Sequence, residues 1–231
     1  MKTLNAPENW TTRRILPFAY ATALAVAFTL SLPLPAHASD EVTPPPVPDK
    51  LKVPEGAEAF LIGHARGTQN YVCVSTASGF AWTLFTPDAT LFKDSGKQII
   101  THVFRPNPCE PNTNPRVVAN GTIRAAWQHF DTSTVWAGTT PAQTATTATD
   151  PDFVKQGAVA WLLLTVAGDQ DGPNGGDTLT NTTFIQRVNT EGGLAPSTGC
   201  AQLEDVGKQA FMPYRADYVF YEGPESAKTC H

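Results

Sequence analysis

The chain has 231 residues and a formal net charge of −5 at pH 7, which excludes the basic surface of a nucleic-acid-binding protein. Its length suits one domain with a sizeable hydrophobic core. The 20 prolines and 17 glycines lie among β-branched and aromatic residues. This composition predicts many short strands and turns, and therefore an all-β protein.

Residues 1–38 predict an export signal. Basic residues precede a nearly uncharged stretch from Ile15 to Leu34, and Ala36-His37-Ala38 fits a small-x-small cleavage site. A retained membrane anchor is the alternative, because about 20 apolar residues suffice to span a bilayer. Cleavage would remove three basic residues and one acid, so the net charge of the mature chain becomes −7. We expect a secreted or periplasmic protein without a membrane span after cleavage.

A proline-rich lead-in follows at residues 39–54, and we interpret it as a linker because proline removes the backbone donors that a sheet needs. Residues 55–231 then form a single β-rich domain. Alternation with a period of two predicts nine or ten strands, with a turn at Gly67 between the first two and an exposed loop at residues 139–150. The predicted strands cover residues 58–64, 69–75, 79–85, 97–104, 121–128, 133–137, 161–166, 178–190 and 214–221. An antiparallel β-barrel or β-sandwich follows, since both protect sheet edges.

The exported part contains four cysteines, which allow three pairings: Cys73, Cys109, Cys200 and Cys230. Oxidation is the default for exported cysteines, and no spacing indicates a zinc site. We favour Cys73–Cys200, because both flank the segments that look most structured, which leaves Cys109–Cys230. The glycine-rich turn at residues 169–177 contains three aspartates but lacks the spacing of a calcium-binding EF-hand loop. We therefore expect no metal and no cofactor.

Three polar residues each interrupt an otherwise apolar strand face: His64, His102 and Gln186. If those faces are interior, each side chain needs a hydrogen-bond partner, because an unpaired buried polar group costs roughly 1 to 3 kcal/mol. Mutual or backbone pairing is the purely structural interpretation. The functional hypothesis is that they line a ligand cavity together with Trp82 and Trp127.

Arg187 lies on the strand face opposite to Gln186. An ion pair with Asp177 or Asp217 is the ordinary interpretation, and an anion contact is the functional one. We therefore take Gln186 as the interior residue of the pair and Arg187 as a structural one.

No nucleophile elbow, zinc-protease helix or phosphate loop occurs in the sequence. Catalysis would thus depend on His102 or on carboxylates such as Asp131 and Glu191, whose separation the sequence does not define.

Six segments together resemble the domain-of-unknown-function 3455 (DUF3455) family of secreted bacterial and fungal proteins: Val53-Pro-Glu-Gly56, Gly79-Phe-Ala-Trp82, Gly121-Thr-Ile-Arg124, Trp161-Leu-Leu-Leu164, Thr183-Phe-Ile-Gln-Arg-Val-Asn-Thr-Glu-Gly-Gly-Leu-Ala-Pro196 and Pro213-Tyr214. The resemblance covers residues 51–221. It implies a single β-rich domain with cysteines at Cys73 and Cys200, whereas Cys109 and Cys230 look like additions of this chain. The family has no established activity to carry over.

The leading hypothesis is a monomeric binding or cell-envelope accessory protein. Its aromatic-lined pocket would hold a small apolar or carbohydrate ligand, or a cell-surface component. The alternatives are an extracellular hydrolase and a structural envelope protein. A pocket with converging polar groups favours binding, whereas a histidine and a carboxylate at hydrogen-bond distance in a cleft favour the enzyme.

Overall fold

A computed structural model describes residues 42–114 and 120–223 of the chain. The predicted export signal and Cys230 lie outside these residues. Short 3-10 helices lie at Asp49–Leu51, Pro141–Gln143 and Leu203–Asp205. The strands of the described part are β1 (Glu58–Thr76), β2 (Gly79–Phe92), β3 (Gln98–Asn107), β4 (Thr122–His129), β5 (Thr134–Gly138), β6 (Thr144–Ala145), β7 (Trp161–Gln170), β8 (Phe184–Gly192) and β9 (Gln209–Glu222).

The strands close into a barrel. They pair in the order β5-β4-β3-β2-β1-β9-β8-β7-β6, and an additional pairing of β5 with β7 joins the two ends. Every pairing is antiparallel. Eight strands thus form the closed barrel, and the two-residue β6 extends the sheet beside β7. The all-β prediction is confirmed, and the barrel rather than the sandwich is the architecture.

The turn predicted at Gly67 is wrong, because β1 runs without interruption through this residue and pairs it with Ala89 of β2. The glycine serves a close approach of the backbones instead. A Cβ atom there would lie 2.1 Å from the carbonyl oxygen of Asp88 and 2.6 Å from the Cα of Ala89. Glycine therefore marks the tight contact between two long, coiled strands.

Other boundaries follow the sequence more closely. The predicted hairpin of β4 and β5 forms, with Gln128 opposite Thr134. Residues 161–166 lie in β7 and residues 214–221 in β9, as predicted. The segment 178–183 is turn rather than strand, so β8 begins only at Phe184. Part of the loop predicted at residues 139–150 pairs with β7, and its Ala145 is fully buried.

The inside of the barrel divides into two halves. One half is filled by packed side chains, among them Leu91, Ile99, Ile100, Leu179 and Phe220. Period-two alternation brings Leu91 and Phe220 inward, since successive side chains of a strand point to opposite faces. Ile99 and Ile100 are both buried beside an irregularity in the pairing of β2 with β3, and Leu179 comes from the turn before β8. The other half is hollow.

The lead-in is not a free linker, and this expectation is wrong. Its 3-10 helix buries Leu51 completely against the outer face of the barrel, in a cluster with Phe184, Val188 and Val219. The lead-in therefore covers the outside of β8 and β9 with apolar side chains. Because both of its faces are covered, β8 is almost fully buried from Phe184 to Val188.

The disulfide Cys73–Cys200 is confirmed, with the two Cα atoms 5.5 Å apart and the two cysteines separated by 127 positions in the sequence. It ties the loop after β8 to the end of β1, beside the Trp82 position of β2. The second predicted pairing involves Cys230, which lies outside the described residues.

Candidate ligand-binding cavity

The hollow half of the barrel holds a cavity of about 430 Å³. It is the barrel lumen, since each of the eight closing strands contributes at least one side chain to its wall. Small residues create the space: Ala125 on β4 and Ala137 and Gly138 on β5 stand where larger side chains would fill it. The interior of an eight-stranded barrel is just wide enough either for packed side chains or for one small ligand. The small residues at these three positions leave room for a ligand.

The cavity opens at one end of the barrel. Ile123 and Leu194 line it and are 41% and 46% exposed, respectively, so they mark the rim. Leu194 follows Gly193, which has a φ of 82° and accepts a hydrogen bond of 2.7 Å from the Tyr71 hydroxyl. A Cβ at Gly193 would lie 2.8 Å from the Cβ of Tyr214, so glycine is required for the chain to pass over this end.

Three packed rings close the inner end of the cavity, and we call them the aromatic floor: His102, Trp127 and Tyr218. The imidazole of His102 lies parallel to the Trp127 indole, with ring centroids 4.2 Å apart, and Tyr218 meets both rings edge-on or tilted. Trp127 also contacts Phe220 of the filled half. The floor therefore lies between the filled half and the cavity.

His102 is neutral at physiological pH. Burial, together with the nearby positive charge of Arg187, lowers its pKa to about 3, although a hydrogen bond with the Ala126 carbonyl opposes the shift. The distance from Nδ1 to that carbonyl oxygen is 2.9 Å, so Nδ1 carries the proton and Nε2 is an acceptor. The hydrolase hypothesis for His102 stays a prediction. Within the described residues this ring stacks on tryptophan and has no carboxylate partner.

Two arginines reach the cavity wall, and their surroundings differ. Arg124 at the rim donates from Nε and Nη2 to the carboxylate of Glu110, at 2.9 and 2.8 Å. Arg187 on β8 donates from Nε and Nη2 to the carbonyl oxygen of Ala160, at 3.1 and 2.9 Å. The ion pair predicted for Arg187 is absent among the described residues, because Asp217 pairs with His64 and Asn189 instead.

The five predicted site residues do not converge. The structure brings His102 and Trp127 together in the cavity and places the other three elsewhere. His64 lies outside the barrel, with Nδ1 2.7 Å from Asp217 and Nε2 2.9 Å from Asp94. The indole of Trp82 donates to the carbonyl oxygen of Thr198, 2.9 Å away, beside the disulfide.

Gln186 was predicted to be interior to the barrel, and this is wrong. Its Nε2 donates to the carbonyl of Leu51 at 2.6 Å, and its Oε1 accepts from the hydroxyl of Tyr221 at 2.5 Å. It is 2% exposed because the lead-in covers it from outside. Arg187, on the opposite face of β8, is therefore the residue that points into the lumen.

The sequence reasoning missed three polar residues of the wall: Arg187 as an interior group, Gln69 and Tyr218. A signal existed for Tyr218, which alternates with Tyr214, Ala216 and Phe220 along β9. For Arg187 the alternation was correct and only the assignment of inner and outer face was reversed.

No group of three residues that could hold a metal ion lies within residues 42–114 and 120–223. The two carboxylates considered for catalysis have separate partners. Asp131 accepts hydrogen bonds from Ser133 and Thr178, and Glu191 pairs with Lys155 at the surface.

A family model described as a protein of unknown function (DUF3455) matches residues 54–222. The chain belongs to the DUF3455 family. This confirms the family indicated by the sequence segments. The match begins after Leu51, so most of the lead-in that covers the barrel lies outside the DUF3455 region. No curated protein and no solved structure matches the chain.

Proposed function

We propose that this DUF3455 protein binds a small, largely apolar molecule in the barrel cavity. The observation that carries the proposal is the cavity itself: about 430 Å³, lined by all eight strands of the closed barrel and floored by the three packed rings. Pockets of roughly 300 to 1,000 Å³ with apolar walls and a few polar groups are the usual form of small-molecule sites.

The wall favours an apolar ligand over a carbohydrate. Aliphatic and aromatic side chains provide most of the lining, including Leu84, Phe104, Leu162 and Leu164. A sugar brings many hydroxyl groups, and each one that loses water without a new partner costs free energy. The wall has few groups to pair with them.

A neutral fluorescent probe tests the proposal. N-phenyl-1-naphthylamine is expected to bind with increased, blue-shifted emission, and glucose or maltose is expected not to displace it. Ala125→Phe fills the cavity and should abolish binding, while Ala81→Phe, at an exposed position of β2, should leave it unchanged. Probe binding that survives Ala125→Phe, in a variant that still unfolds cooperatively, would contradict a site in the lumen.

We also propose that the protein acts outside the cytosol. The Cys73–Cys200 disulfide supports this, since such bonds persist in oxidising compartments. No helix of the described residues is long and apolar enough to cross a membrane. N-terminal sequencing of protein recovered from the medium or periplasm should begin at Ser39, and recovery only from the cytosol would contradict the proposal.

A further inference from the structure

Arg187 introduces a positive charge into a cavity wall to which the described part of the chain contributes no carboxylate. Its side chain is half-buried and lines the lumen below the rim. Among the described residues the other cation of the wall is Arg124, which is neutralised by Glu110. The charge of Arg187 thus has no opposite charge beside it among the described residues.

The hydrogen bonds of Arg187 leave most of its donors unused. A guanidinium has five N–H groups, and two of them donate to one backbone carbonyl, that of Ala160. The three others have no acceptor among the described residues. A cation in a partly dry site with so few partners is unfavourable unless an anion joins it.

The field of this charge extends across the cavity. It adds to burial in lowering the pKa of His102. It opposes burial, which raises the pKa of Tyr71 and Tyr214. These three rings come from β1, β3 and β9, so the charge acts on several sides of the lumen at once.

Two further donors of the wall are buried without an acceptor. The Nε1 of Trp127 and the Nε2 of Gln69 have no hydrogen-bond partner among the described residues, and their side chains are 1% and 2% exposed. Burial raises the pKa of Tyr214 and the nearby Gln69 amide opposes this shift, although the Nε2 of Gln69 makes no hydrogen bond within the described residues. The wall therefore offers unused donors around a positive charge.

We infer that the ligand of the cavity is an apolar molecule carrying one anionic group, such as a carboxylate, sulfonate or phosphate, which the guanidinium of Arg187 receives. This inference rests on the proposed binding function and names the chemical class of the ligand. An anion only accepts hydrogen bonds, and its paired oxygens match the planar fork of an arginine. The apolar body would lie between the aromatic floor and the rim.

Two probes that differ by a single anionic group test the inference. N-phenyl-1-naphthylamine and 8-anilino-1-naphthalenesulfonate share their ring system, and only the second carries a sulfonate. The wild-type protein should bind the sulfonate probe more tightly. Arg187→Gln should weaken the sulfonate probe roughly ten- to hundredfold, as expected for a charged hydrogen bond in a dry site, and the neutral probe less than about threefold.

A second substitution and a matched control complete the design. Arg187→Lys keeps the charge but loses the fork, so its affinity for the sulfonate probe should be intermediate. Arg66→Gln makes the same replacement as Arg187→Gln at an exposed position of β1 outside the cavity wall, and should leave the preference for the sulfonate within about threefold. Near-UV circular dichroism must stay native, because the sulfonate probe also binds loosely packed states.

The outcomes separate the two proposals. If neither probe binds, or both bind after Ala125→Phe, the binding function itself fails. If the neutral probe binds but the sulfonate brings no gain, or Arg187→Gln weakens both probes equally, only the anionic group is refuted. Octanoate and octyl phosphate should displace the sulfonate probe at least tenfold better than octanol, and equal displacement by all three would also overturn the inference.

Discussion

Gln186 and Arg187 are neighbours on β8, yet they serve opposite faces of the barrel and differ in how well they are paired. On the outer face, both polar atoms of the Gln186 amide have partners, Leu51 and Tyr221. On the inner face, Arg187 donates to one carbonyl and faces no carboxylate among the described residues. The polar group on the outer face therefore has all its hydrogen-bond partners within the chain, whereas the charge on the inner face is available to bind a ligand.

Two histidines show the same difference between the faces. Outside, partial burial of His64 is outweighed by Asp217 and Asp94, which raise its pKa. Inside, burial dominates and lowers the pKa of His102 to about 3. The outer surface stabilises protonated groups through its carboxylates, and the lumen, with an unpaired arginine, disfavours any further positive charge.

The largest expected effect on the unfolding free energy comes from acidification, which protonates His102 and so places a second positive charge in the lumen. The unfolded chain takes up a proton on His102 near its ordinary pKa of 6.5, while the folded protein does so only near 3. Between these values the unfolded state binds more protons, so stability is complete above pH 6.5 and falls as the pH decreases. The loss is about 1.4 kcal/mol per pH unit, measurable by urea unfolding between pH 6.5 and 4.

His102→Gln provides the control for this acid dependence, because it removes the titrating group. As the pH decreases from 6.5 to 4, the unfolding free energy of this variant should fall less steeply than that of the wild type, by about 1.4 kcal/mol per pH unit. Asp131 contributes separately: against the effect of burial, hydrogen bonds from Thr178 and Ser133 hold its pKa well below the usual range. Equal slopes in the wild type and the variant would assign the acid sensitivity to such carboxylates and contradict the role of His102.

Removing the cover of the outer face should have the next largest effect. Leu51 is fully buried between the lead-in and the barrel, and Leu51→Ala is expected to lower the unfolding free energy by about 3 kcal/mol. The neighbouring Lys52→Ala is the control. Lys52 is exposed and pairs with exposed Asp49, so its replacement should cost less than about 0.5 kcal/mol. A loss below about 1 kcal/mol for Leu51→Ala would show that the lead-in is a loose linker after all.

Gln186→Leu keeps the approximate volume of the side chain but leaves two buried polar groups under the lead-in without a hydrogen-bond partner. The Leu51 carbonyl and the Tyr221 hydroxyl would both lose their hydrogen bonds, for a loss of about 2 kcal/mol. Tyr221→Phe removes one of the stranded groups, so the double variant should lose less than the sum of the single losses. Additive losses would mean that the amide and the hydroxyl do not form a pair in solution.

Local alternation in the sequence predicted much of this fold. It assigned Ile100, His102 and Phe104 to one face of β3, and Ile123, Ala125 and Trp127 to one face of β4. Five of these six side chains line the cavity, with Ile123 at its rim, and the sixth, Ile100, lies in the filled half. These predictions succeed because the period of a strand is a property of the backbone alone.

What the sequence could not decide is which face of β8 is interior. Both faces of β8 carry one polar residue among apolar ones and both are covered, the outer face by the lead-in and the inner face by the barrel interior. The contact of Gln186 with Leu51 spans 135 residues, and no local pattern announces such a pairing. The turn prediction at Gly67 failed for a similar reason. The glycine is required by the close backbone of Ala89 on the neighbouring strand, which is distant in the sequence, and not by a turn.

The smallest effect on stability is expected from Arg187→Met, although the residue is charged and Gln186 beside it is not. Without ligand, a half-buried cation held by one carbonyl contributes little beyond the cost of removing it from water, so the unfolding free energy should change by less than about 1 kcal/mol. Protein refolded from urea to remove bound molecules is the sample to measure. With the sulfonate probe at about a hundred times its dissociation constant, the wild type should gain about 2.7 kcal/mol, and the variant clearly less at the same concentration. A loss above about 2 kcal/mol in the ligand-free variant would instead make Arg187 a structural clasp for Ala160. The polar groups on both faces of β8 would then be stabilised by partners within the chain, and the charge of Arg187 would no longer indicate a ligand.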